Sequence, residues 1–142
     1  MVKRGLFTGL FSGILLGFIL KIMETLSSIK VYRLLLNIDF IPFIGSVDWP
    51  EYAEFMFHLL VSLCIGITFV YMVEYIWKGN QYLLSFLLTV SAVFLYFPLT
   101  ILAIEETPAP TNIPAFLLWT GGHAVYALCL PFFYNNQKAL VR

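Results

Sequence analysis

The chain has 142 residues, 61% of them hydrophobic and only 11% charged, against roughly 25% charged in an ordinary soluble domain. A soluble core of this size cannot bury so much apolar surface, so lipid must solvate much of it, in one domain spanning 1–142. Eight basic and eight acidic residues cancel, and nothing in the charge points to nucleic acid as a partner.

Lys3 and Arg4 open the chain ahead of an apolar run over Gly5–Leu26. That run is about 20 residues, too long for the apolar region of a cleavable signal, so it is expected to stay as a membrane span. A span needs about 20 apolar residues at 1.5 Å each. Next comes an unusual segment, 27–52. Val31 to Ile38 is too short to cross, and Asp39 to Gly45 is apolar but broken by Pro42 and Gly45. An interfacial or re-entrant helix lying against the bundle is the expectation there.

Further spans are expected over Ala53–Ile76, Tyr82–Ile104 and Ile113–Tyr134. The runs are continuous, without the alternation of barrel strands, so helices are favoured. The turn from Trp77 to Gln81 makes the second and third spans an antiparallel hairpin. Glu105 to Asn112 joins the third to the fourth; its two prolines stop the helix, and Asn112 is placed to cap the next one, with Pro114 in the first turn. The fold class is therefore an all-α membrane protein: a four-transmembrane-helix bundle with a short interfacial or re-entrant helix between the first two spans.

Orientation follows from the basic residues. Lys3, Arg4, Lys78, Lys138 and Arg142 fall on one side, Lys30 and Arg33 on the other, and Lys21 inside a span. That bias predicts an N-in/C-in topology. Cys64 and Cys129 both lie in apolar runs and read as small buried apolar residues.

Gly5, Gly9, Gly13 and Gly17 stand four apart in the first span, forming a shallow groove on one helix face. Such a groove lets a second helix approach closely where lipid supplies no hydrophobic force. Packing within the chain is the simpler reading; a homodimer through the same stripe is the alternative.

Ionisable groups within a span are costly, about 2.5–3.5 kcal/mol at the centre on insertion scales. Lys21 and Glu24 share a face of the first span, Glu54 and His58 a face of the second, and His123 follows Gly121-Gly122 in the fourth. Except for His123, near mid-membrane, these groups gather toward the extracytoplasmic ends. The plain reading is snorkelling, interfacial placement and hydrogen-bonded packing. The sharper one is a proton-responsive polar cluster of Lys21, Glu24, Glu54, His58 and His123, since histidine ordinarily titrates near pH 6.5. Metal is disfavoured because no ligand spacing occurs. There is no phosphate loop, nucleophile elbow or closely spaced Cys pair, so the expectation is a non-enzyme without a cofactor. A small proton- or solute-translocating channel or transporter, working as a homo-oligomer with helices broken near Pro98 and Pro131, is the rival.

The ordered pattern Lys21-Ile22-Met23-Glu24, His58-Leu59-Leu60-Val61-Ser62, Tyr71 to Glu74, Phe97-Pro98, Thr107-Pro108 and Gly122-His123-Ala124-Val125-Tyr126 resembles the YagU-like family of bacterial inner-membrane proteins over most of the chain. The Pro-Pro-Arg stretch typical of that family after its first span is absent from Ser27 to Gly45, and the loop is shorter. The resemblance implies a small polytopic protein of the bacterial cytoplasmic membrane, without an established activity and loosely associated with acid tolerance. A role in envelope or acid-stress adaptation is the resulting expectation.

Overall fold

The computed structural model describes the backbone of residues 1–140 and the side chains of residues 1–137. Arg142, one of the basic residues used for orientation, lies outside the described residues, as does the side chain of Lys138. Among the described residues every regular element is helical. α1 is Val2–Ser27, α2 is Val31–Leu36 and α3 is Glu51–Tyr71, continued by a π-helical turn Met72–Ile76. α4 is Gln81–Phe94, α5 is Tyr96–Leu102 and α6 is Ile113–Leu140. Four segments are long and apolar enough to cross a membrane: Val2–Ser27, Glu51–Ile76, Gln81–Leu102 and Ile113–Gln137. The chain is a multi-pass membrane protein.

Helix ends follow local chemistry. Asn112 Oδ1 accepts from the Ala115 amide at 3.0 Å, and Asn80 Oδ1 accepts from the Tyr82 amide at 2.8 Å at the start of α4; each meets an amide that the first turn leaves unpaired. The third span breaks at Leu95. Pro98 lacks the N–H that would bond the Phe94 carbonyl, and its ring crowds that carbonyl. Pro131, by contrast, sits inside an unbroken α6, so the break expected there is not found.

The packing order differs from the chain order. α1 packs most extensively on α3 and next on α6, while α4 packs on α6. α3 and α4 were expected to pair as a hairpin across their short turn, yet they touch little. α1 and α6 hold the middle, and a cleft opens between α3 and the α4–α5 span.

The glycine stripe explains the strongest of these contacts. Gly5, Gly9, Gly13 and Gly17 all face α3, meeting Ile67, Ser62 with Leu63, Ser62 and Phe55 in turn. Gly66 answers from α3: a Cβ there would lie 2.5 Å from both the Gly5 carbonyl oxygen and the Gly9 Cα. Backbones this close gain dispersion contacts that lipid does not replace. The face considered for a homodimer is thus filled by α3 of the same chain.

Small polar groups are buried within an apolar core, and large apolar groups also face outward. Thr8, Ser12, Ser62, Ser85, Thr89 and His123 are buried, whereas Phe7, Phe11, Phe18, Leu60 and Phe86 are exposed. Lipid solvates large apolar side chains as well as a core would, so they also face outward, while the interior packs Trp119, Tyr96, Phe69 and Leu20 together with the small hydrogen-bonding groups. Both cysteines are free, and Cys64 is exposed rather than buried.

Candidate functional site: a capped cavity between the second and third spans

Two polar assemblies lie one above the other. The first is ionic and surrounds α2. Glu24, at the end of α1, turns its Oε2 to the Tyr32 and Arg33 amides at 2.7 and 3.0 Å, satisfying donors that the first turn of α2 leaves free. Lys21 donates to Glu51 Oε1, and the Tyr32 hydroxyl donates to the same oxygen at 3.0 Å. The Lys21 ammonium also stands 5.1 Å from the Tyr32 ring centroid. Arg33 donates to Glu105 and lies 3.7 Å from Glu54 Oε2, an ion pair without a hydrogen bond. Lys30 donates to Glu106.

These pairs join α1, α2, α3 and the α5–α6 connection. The Lys30 ammonium, hydrogen-bonded to Glu106, holds that carboxyl below its ordinary range. Burial alone would lower the Arg33 guanidinium, but the hydrogen-bonded Glu105 carboxylate, with Glu54 and Glu24, outweighs it and raises the group. Burial first, then the Glu51 carboxylate, pushes the Tyr32 phenol well up, so it stays a neutral donor.

From α2 the chain continues as a strap, residues 37–47, turning over the cleft. Asp39 fixes it: its Oδ2 accepts from the Ile104 and Glu105 amides at 2.8 and 2.6 Å, meeting backbone donors just past the end of α5. The Trp49 indole donates to the Ile44 carbonyl at 2.9 Å.

Beneath α2 and the strap lies a cavity of about 440 Å³, within the range of about 300–1,000 Å³ common for small-molecule sites. Leu35, Asn37, Ile38, Phe40 and Ile41 form its roof. α3 supplies Phe57, His58, Val61 and Ser62, the broken third span supplies Leu95, Pro98 and Leu99, and α6 supplies Trp119, His123 and Tyr126. Leu60, Val61, Leu95 and Leu102 line it while remaining exposed, so the cavity opens sideways where lipid would lie.

Its polar groups form a second assembly. His58 Nε2 bonds the Gly13 carbonyl at 3.1 Å. The Ser62 hydroxyl donates to the Gly9 carbonyl at 2.7 Å, and the Tyr126 hydroxyl lies 2.9 Å from Ser62 Oγ. His123, only 3% exposed, bonds the carbonyl of Trp119, one turn back, through Nδ1 at 2.8 Å. Its ring packs on the Trp119 indole with centroids 4.3 Å apart.

The residues singled out from sequence therefore fall into two groups. Lys21, Glu24 and Glu54 join the ionic assembly; His58 and His123 line the cavity, each bonded to a backbone carbonyl. No hydrogen bond or ion pair links the histidines to Lys21, Glu24 or Glu54. Among the described residues no three His, Cys, Asp or Glu side chains gather in a metal-binding arrangement. Sequence reading missed Glu51, Arg33, Asp39, Ser62, Trp119 and Tyr126. A helical-periodicity signal was present for some: Glu51, Glu54, His58 and Ser62 fall on one face of α3, and Trp119, His123 and Tyr126 on one face of α6. Asp39 carried none.

Comparison with protein-family models, with curated proteins and with solved structures gave no match.

Proposed function

We infer that this chain is a non-enzymatic protein of the bacterial cytoplasmic membrane, N-in and C-in, whose lipid-facing cavity holds an apolar molecule under an acid-sensitive roof. The observation that carries this reading is the anchoring of α2 and the strap. Glu24, Asp39, Glu51, Glu54, Glu105 and Glu106 hold that roof, six of the eight acidic residues in the chain. With the termini inside, these carboxylates meet the external medium. Protonating them removes acceptors and charges that the roof depends on, so external acid loosens it. Asp48, Glu51 and Glu105 lie within electrostatic range of Glu54, as does Arg33, so the charge carried by each bears on the others. A role in envelope or acid-stress adaptation agrees with this device, as does the likeness to YagU-like proteins.

Hydrogen exchange of the lipid-reconstituted protein at pH 7 and pH 3, expressed as protection so that the slower intrinsic exchange in acid is removed, tests the roof. Lower protection over residues 30–47 at the lower pH, with the protection of α1 and α6 unchanged, is expected. Equal protection at both values would remove the acid-responsive part of the reading. Labelling Ser46→Cys from the cell exterior, in a Cys64→Ala, Cys129→Ala background, tests the orientation; labelling only after permeabilisation would reverse it.

A second reading, translocation of a small solute, draws support from the break at Leu95, because an interrupted span lines this cavity, as interrupted helices line transport sites. Flux from proteoliposomes decides between holding and moving a ligand.

A further inference from the structure

The chemistry of the cavity narrows what it accepts. A backbone carbonyl only accepts hydrogen bonds, so the histidine nitrogen beside it must carry the proton. His123 bonds the Trp119 carbonyl through Nδ1, so in the neutral ring Nε2 is a bare acceptor. His58 bonds the Gly13 carbonyl through Nε2, which leaves Nδ1 as the acceptor. The Ser62 proton is used on the Gly9 carbonyl, so the Tyr126 hydroxyl must donate to Ser62 and keeps its own lone pairs. The side chains around the middle of the cavity thus have their protons committed to protein and their acceptors uncommitted. At the roof the order reverses: Asn37 Nδ2 is buried without a hydrogen-bond partner, a donor on the same cavity.

We propose that the cavity binds a membrane-soluble alcohol or phenol, an apolar body bearing a hydroxyl that donates to His58 or His123. This rests on reading the cleft as a ligand cavity open to lipid. The walls are apolar and reach the bilayer, so the body of the ligand enters sideways, as lipid-soluble molecules do. A hydroxyl supplies the donor that two imidazoles lack, and its oxygen still accepts from a neighbour. An ester, ether or ketone presents only further acceptors to the histidines. A carboxylate would add an unpaired charge among lone pairs. Sites that hydrogen-bond a hydroxyl discriminate against analogues lacking it, because their own polar groups are then left unmatched.

The test uses the full chain in lipid nanodiscs with Trp49→Phe and Trp77→Phe, which leaves Trp119, on the cavity wall, as the sole indole. Two bromoalkyl probes of equal length are compared at matched mole fraction in the bilayer, one ending in a hydroxyl and the other in its methyl ether. The alcohol should quench Trp119 at about tenfold lower concentration than the ether, the size of one neutral hydrogen bond of about 1.4 kcal/mol. His123→Phe and His58→Phe together should erase that difference while the ether still quenches. Equal quenching by both probes in the parent overturns the hydroxyl preference but leaves an apolar cavity that takes any chain, a lipid acyl chain included. A preference that survives loss of both histidines overturns their role. No quenching by either probe overturns the ligand-cavity reading itself. The parent comparison needs no histidine variant, so it stands even if those variants fold poorly.

Discussion

Ser62 Oγ lies 2.7 Å from the Gly9 carbonyl oxygen, and His58, one turn earlier on α3, reaches the carbonyl of Gly13, one turn later on α1. Two side chains four apart thus grip two carbonyls four apart across a seam that glycine keeps thin. The bonds fix the register of α3 on α1 and, through it, the position of His58 on the cavity wall.

The seam should not tolerate added bulk. Gly66→Ala places a Cβ 2.5 Å from the Gly5 carbonyl oxygen, and backbone on both sides must move. Overpacking of this kind costs about 1–3 kcal/mol, so the unfolding midpoint in detergent should fall. Gly121→Ala, whose Cβ would meet only Met23 Cε at 3.9 Å, should leave it nearly unchanged. Equal effects of the two substitutions would mean that the α1–α3 contact is not the tight one.

Asp39→Asn should free the strap without unfolding the bundle. A neutral amide oxygen accepts more weakly than the carboxylate that now takes the Ile104 and Glu105 amides; bonds to charged groups are worth about 1.5–3 kcal/mol, less at an exposed position. Exchange of those two amides should quicken severalfold while α1 and α3 keep their protection. Unchanged exchange would remove Asp39 as the anchor.

The Lys30–Glu106 pair gives a pH dependence of known sign. Glu106 is held below its ordinary range in the folded protein, so its contribution is complete above the unfolded carboxylate value, about 4.3. It is lost as pH falls through the lower, folded value. The pair is exposed, so the effect is small and fades with salt. Stability measured from pH 6 to pH 3 should fall less steeply in Glu106→Gln than in the parent, at low salt only.

Pro98→Ala should join α4 to α5. The substitution restores an N–H for the Phe94 carbonyl and removes the ring that crowds it. A continuous span would redirect Leu99, which now lines the cavity, and should reduce quenching of Trp119 by apolar probes. Undiminished quenching would show that the break does not shape the cleft.

Much of the architecture was readable in the chain because lipid imposes a length and a composition on each span. The four runs, the proline-marked connection and the Asn112 cap all report local requirements. Which helices touch was harder to read. The turn after Trp77 brings α3 and α4 close in sequence, yet the stripe from Gly5 to Gly17 draws α3 onto α1 instead. The same limit applied to the site. Lys21, Glu24, Glu54, His58 and His123 stand out as costly residues in apolar runs. Their partners Glu51 and Arg33 sit where charge is cheap, so only the folded arrangement connects them. Pro98 and Pro131 look alike in sequence, but the helix yields at one and passes through the other.

The central place of α1 has a consequence for how the protein is made. α1 is synthesised before both of its largest neighbours, α3 and then α6. Until α3 inserts, the stripe faces lipid, and the carbonyls of Gly9 and Gly13 have only their helical amides as donors. Until α6 arrives, Tyr126 cannot reach Ser62. A ribosome stalled after α4 would leave a central helix covered on one side only, the state a membrane quality-control protease would be expected to recognise.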